Sequence, residues 1–99
     1  SSIDLIKCDV EGHELEVFQG GCATLKQFKP VLMFECEARH NGPENVMAVF
    51  DYLFSLNYKG CFYNGHSFAD LDQFDLVKYQ TGPNRKIYVN NFFFTPKGT

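Results

Sequence analysis

Ile3-Asp4-Leu5-Ile6-Lys7-Cys8-Asp9-Val10-Glu11-Gly12-His13-Glu14 is the stretch on which the reading of this chain turns. Ile3, Leu5, Ile6 and Cys8 make a short apolar run, the pattern of a strand covered on both faces. The run stops at acidic residues, Gly12 permits a tight exit, and a helical pattern begins near His13. Ligands of α/β proteins bind at the carboxyl ends of parallel strands. Chemistry is therefore expected where Asp9, Glu11 and His13 follow the strand. The cluster begins nine residues into the sequence, so the strands that ordinarily precede such a strand are expected upstream of this chain.

Working outward, Leu15, Phe18, Cys22, Leu25 and Phe28 recur at spacings of three and four, one face of a helix. Gly20-Gly21 interrupts that face, and each glycine costs roughly 1 kcal/mol relative to alanine in a helix interior. Two short helices or a kink are expected there, stopped at Pro30. Val31 to Glu37 reads as a second strand, apolar until it turns acidic. Arg39 to Gly42 reads as a loop, and Pro43 starts a helix whose buried stripe is Val46, Val49, Phe50, Leu53 and Leu56. Strand, helix, strand, helix implies a parallel sheet with right-handed crossovers. Beyond Asn57–Gly60, which closes the helix, Cys61 to Tyr63 is a short strand and Asn64-Gly65 a tight reversal. Ser67 to Leu71 returns, Asp72 to Asn84 is a polar loop, and Ile87 to Phe94 is the last strand.

Composition narrows the function. A net charge of −3 without a Lys/Arg stripe argues against nucleic acid. No apolar run reaches the ~18–20 residues of a membrane span. Four cysteines lie far apart with no C-x-x-C pair, which argues against a zinc site and for reduced, structural thiols. A cytoplasmic location follows as an expectation. No G-x-G-x-x-G, Walker or G-x-S-x-G sequence is present.

Several residue types could carry chemistry. A carboxylate at a strand tip can bind a ligand amine, act as a general base or hold a metal through oxygen, and His13 adds a group that titrates near neutrality. The plainer alternative makes Glu11 and Glu14 helix-start charges and His13 a solvated first-turn residue. Period-two alternation puts Glu35 and Glu37 on one face and Cys36 on the other, so either glutamate can face the cleft of Asp9. A solvated glutamate beside one bonded to a loop amide is the competing reading. Asn90-Asn91 reads as amides tying down a neighbouring loop, and Phe92-Phe93-Phe94 as core. His40, His66, Tyr63 and Tyr88 read as exposed residues that can line a cleft.

Ile3 to Gly20 resembles the signature of the FkbM-type methyltransferases, close to I-D-x-[IL]-K-x-D-[VI]-E-G-x-E, a hydrophobic pair, then K-G. Cys8 and Gln19 depart mildly from it. Lys29-Pro30-Val31-Leu32-Met33-Phe34-Glu35 is similar to the family's K-P-x-[IL]-x-x-E strand, Leu56 to Gly60 to its L-x-x-[LY]-G-Y-x segment, and Asn90 to Phe94 to its final strand.

The resemblance implies an α/β fold: the C-terminal half of a Rossmann-like class I methyltransferase sheet. Its strands would be parallel, with helices on the faces and an antiparallel final strand inserted between the two before it. Residues 1–99 would be the C-terminal part of one domain, from the fourth strand onward. The cofactor-loop half would lie upstream and dock at the first-strand edge. The implied reaction is transfer of a methyl group from S-adenosylmethionine, typically to a hydroxyl of a small molecule or glycan, by a fragment inactive alone. By position the resemblance assigns Asp9 and Val10 to the cofactor, with Asp9 near the transferring methyl group. It puts Glu11 and His13 on the substrate side and Glu35 at the fifth-strand tip, and assigns no metal ligand. Which residue is the base stays open. Two alternatives stand beside it: a non-catalytic α/β module that binds a partner through its open sheet edge, and a divalent-metal site built from Asp9, Glu11, His13 and Glu35.

Overall fold

In the computed structural model, residues 5–8, 12–83 and 87–97 are described. The first strand, β1 (Leu5–Cys8), lies parallel to β2 (Val31–Glu35), with Cys8 opposite Phe34. Between them run two short helices, α1 (Glu14–Gly20) and α2 (Cys22–Phe28), broken at Gly21 as the glycine pair predicts. Phe18 and Leu25 are their buried apolar residues, and the Phe18 ring meets Phe34 edge-on with centroids 5.0 Å apart. Lys29 adopts a left-handed conformation at the end of α2, where its N–H donates to the Leu25 carbonyl. Pro30 then leads into β2.

Arg39 to Gly42 is read as a loop from the sequence, but a single helical turn, α3 (Ala38–Asn41), takes up most of it. Its amides 40 and 41 donate to the Glu37 carbonyl. α4 (Pro43–Ser55) begins at Pro43 as expected and buries Val46, Val49, Phe50 and Leu53 almost completely. Each such side chain contributes roughly 1.5–3 kcal/mol relative to exposure. β3 (Tyr58–Tyr63) starts earlier than the sequence pattern suggests, because Tyr58 is pulled into the core and its hydroxyl donates to the Pro30 carbonyl at 2.6 Å. The reversal at Asn64 returns the chain as β4 (Phe68–Asp70), with the Asn64 side-chain oxygen accepting from the amides of His66 and Ser67.

The polar stretch after β4 is more ordered than a loop. A 3₁₀ turn covers Leu71–Gln73 and a π-helical turn covers Val77–Thr81. Phe74 packs edge-on against Phe92, and Tyr79 against Phe62; these two rings anchor the segment. The last strand, β5 (Asn91–Pro96), begins four residues later than Ile87.

The five-stranded sheet has the order β1-β2-β5-β3-β4. β5 is antiparallel to both of its neighbours, so β1, β2 and β3 run in one direction and the final strand inserts between β2 and β3, with β4 on the far side of β3. The fold is α/β with a mixed sheet, as expected. Leu32, Phe34, Phe62, Phe92 and Phe94 line one face, almost fully buried under the helices. The alternate residues Met33, Phe93 and Cys61 stand on the other face, partly exposed. Among the described residues no helix is long and apolar enough to cross a membrane.

Candidate functional site

The direction of β5 brings its first residue beside the last residue of β2: Glu35 is the register partner of Asn91. Glu35 is half-buried, and its Oε1 accepts from Asn90 Nδ2 at 3.0 Å. Asn91 Nδ2 in turn donates to Asn90 Oδ1 at 3.2 Å. The Asn90 amide thus ties down the β2 tip, the role expected of an amide at the edge of an apolar strand. The backbone follows the same path, with the Cys36 N–H donating to the Asn90 carbonyl at 2.8 Å.

Gln80 sits behind this junction on the π-helical turn and is 5% exposed. Its Nε2 donates to the carbonyls of Cys36 and Val89, each at 2.9 Å, and its Oε1 accepts from the Ala38 N–H at 2.8 Å. One side chain therefore satisfies three backbone groups on two separate segments that bear no regular ladder. The sequence pattern puts Gln80 in a polar loop. The neighbouring residues give no signal against that reading, since Val77 on the same turn is 63% exposed.

Glu37 is the second carboxylate of the β2 exit and is nearly buried. Arg39 Nε donates to its Oε2 at 2.8 Å and Arg39 Nη2 to its Oε1 at 3.4 Å. The Tyr88 hydroxyl also donates to Oε2, and His40 Nε2 stands 3.9 Å from Oε1. Burial alone would push this carboxyl up. Hydrogen bonds from Tyr88, Arg39 and Asn90, with the charge of Arg39, outweigh it and hold Glu37 below its ordinary value. Arg39 and Tyr88, read from sequence as a loop residue and an exposed aromatic, are drawn together here by Glu37.

Glu14 braces the other side. It is 1% exposed, accepting from the Gly12 N–H at 3.1 Å and from Asn41 Nδ2 at 2.9 Å. It locks the entry of α1 to the end of α3, in keeping with a helix-start role. Gly12 has φ +95°, and a Cβ there would stand 3.1 Å from the His40 carbonyl oxygen, so only glycine lets the two segments approach. Burial and the neighbouring Glu14 push the Cys36 thiol well up, leaving it an inert core group. His13 is the residue before α1, exposed and without a side-chain capping bond. Asp9, Val10 and Glu11 lie outside the described residues.

Glu35, Glu37, Arg39, Gln80, Tyr88 and Asn90 are among the residues that line a cleft of about 770 Å³ at the ends of β2 and β5. A small void beside it is bounded by Gly12, Glu14, Glu35, Glu37 and His40. The structure thus brings Glu35 and Glu37 together, while His13 is not among the residues that line either space. Among the described residues there is no group of three or more His, Cys, Asp and Glu side chains able to hold a metal ion.

Residues 1–74 match the family model of the methyltransferase FkbM domain. The chain belongs to the FkbM methyltransferase family. The matched span contains the Asp9–Glu14 signature, Glu35, Glu37 and Arg39, whereas Gln80, Tyr88 and Asn90 lie beyond it. Comparison with curated proteins and with solved structures returned no match.

Proposed function

We propose that this FkbM chain is the C-terminal part of an S-adenosylmethionine-dependent O-methyltransferase domain that acts on a hydroxyl of a small molecule or glycan. The observation that carries this reading is the family match, because it spans both the Asp9–Glu14 signature and the β2 tip. The sheet order supports it: a parallel pair, then an antiparallel strand inserted before a third co-directional strand. The rest of the domain, with its cofactor loop, would pair along the outer edge of β1. The four free cysteines agree with a reducing compartment such as the cytoplasm.

The donor set of the cleft suits a cationic methyl donor beside a hydroxylated acceptor. Glu35 and Glu37 supply negative charge toward a sulfonium, while the Asn90 amide fixes the Glu35 carboxylate and Gln80 fixes the backbone on either side of Glu37. S-adenosylmethionine brings an electrophilic methyl group. The chain's part is to hold the acceptor oxygen in line and to give its proton a route away. In this reading Asp9 and Val10 contact the cofactor, Glu11 and His13 stand on the acceptor side, and Glu35 orients the acceptor from the β2 tip.

The test is transfer of labelled methyl groups from S-adenosylmethionine by the complete protein to a panel of methyl glycosides and polyols. Label in an ether-linked methyl, lost in Asp9→Asn, is the expected result. A complete protein that neither binds the cofactor nor transfers label would reject the reading.

A further inference from the structure

We propose that Tyr88 and Glu37 form the proton outlet of the cleft, Tyr88 receiving the acceptor hydroxyl and Glu37 taking the proton onward. This inference rests on the O-methyltransferase reading and adds two residues that neither the signature nor the resemblance assigns. Both side chains line the same cleft as Glu35 and Asn90. Tyr88 is 37% exposed, while its hydroxyl donates to a carboxylate that is itself 5% exposed. The phenol therefore spans from the open cleft to a buried acceptor. A phenolic oxygen is both donor and acceptor, so the group that donates to Glu37 has the chemistry to accept from an incoming hydroxyl as well.

The bonds balance. The acceptor oxygen bonds to the methyl carbon as the carbon–sulfur bond breaks and sulfur keeps the electron pair. The acceptor's proton passes to the Tyr88 oxygen and the Tyr88 proton to Glu37. The sulfonium and carboxylate charges cancel, leaving a methyl ether, a thioether and a neutral carboxylic acid. An oxygen that is acquiring a methyl group becomes strongly acidic, so a weakly basic carboxylate suffices. The groups around Glu37 suit it to wait ionised. Arg39 and His40 of α3 and Tyr88 face it directly, Asn90 precedes β5, and Glu35 of β2 and Glu14 of α1 stand across the small void. Gln80 holds the two backbone segments that carry Glu37 and Tyr88 at their separation.

The experiment uses the complete protein as wild type, Tyr88→Phe and Glu37→Gln, with labelled S-adenosylmethionine and the same panel of methyl glycosides and polyols. Carbon-13 NMR of the Glu37 carboxyl runs in parallel on the wild type and Tyr88→Phe. Both variants are expected to lose about a hundredfold or more in kcat with KM for S-adenosylmethionine unchanged. Removing the phenol hydrogen bond should raise the Glu37 midpoint, moving the acid limb of kcat to higher pH in Tyr88→Phe, and Glu37→Gln should abolish that limb. Wild-type transfer with kcat held within about twofold in Tyr88→Phe would overturn the pair and leave the O-methyltransferase reading intact. An unmoved Glu37 midpoint in Tyr88→Phe would overturn the pair without reference to turnover. A wild type that transfers to no hydroxyl rejects the underlying reading, and the pair with it.

Discussion

Gln80 and Glu37 differ in how they hold the cleft, and the difference is measurable. Gln80 makes three neutral hydrogen bonds to backbone groups. Gln80→Leu strands those groups and is expected to cost about 1–3 kcal/mol, read as a lower urea midpoint with unchanged slope. Glu37 contributes through charge. Its folded pKa lies below the ordinary value of 4.5, so its stabilisation is present above that value and is lost as pH falls through the lower, folded value. Acid unfolding of the wild type should therefore show a stability loss below pH 4.5 that Glu37→Gln lacks. Neither role is legible in full from the sequence. Glu37 is marked by its place two residues after Glu35, but nothing in a polar run distinguishes a buried glutamine from a solvated one. Tyr88 joins Glu37 across fifty-one residues, a pairing that only the sheet order creates.

Among the elements, those with strong periodicity are legible and those built on long-range contacts are not. α4 follows from its stripe, and the α1–α2 break from Gly20-Gly21. α3 escapes a sequence reading because its turn is held by the Glu37 carbonyl rather than by an apolar face. The late start of β5 has a similar cause: residues 88–90 are occupied by Gln80, Glu37 and Glu35 instead of a strand ladder. Two substitutions check this view of the elements. Phe50 is 1% exposed and packs against Phe92 with centroids 4.8 Å apart, so Phe50→Ala should cost about 3–5 kcal/mol in chemical denaturation. Gly20 ends α1, and a Cβ added there would meet no atom within 4 Å, so Gly20→Ala should stabilise by about 0.5–1 kcal/mol.

For the molecule as a whole, the sheet is covered unequally. Helices bury one face, while Leu5, Tyr63 and Phe68 on the strands are 59%, 48% and 63% exposed. The α/β class is legible from strand–helix alternation, and the antiparallel insertion of the last strand only from the family resemblance. The cleft is legible only in part, since of its lining residues Glu35 falls within the β2 motif, whereas Gln80 and Tyr88 come from the segment beyond residue 74. The proposal that this cleft is completed by an upstream cofactor loop makes a direct demand on binding. Isothermal titration calorimetry with S-adenosylmethionine should show one saturable site in the complete protein and none in residues 1–99 alone. A complete protein without heat of binding, under conditions where it is folded, would contradict the assignment.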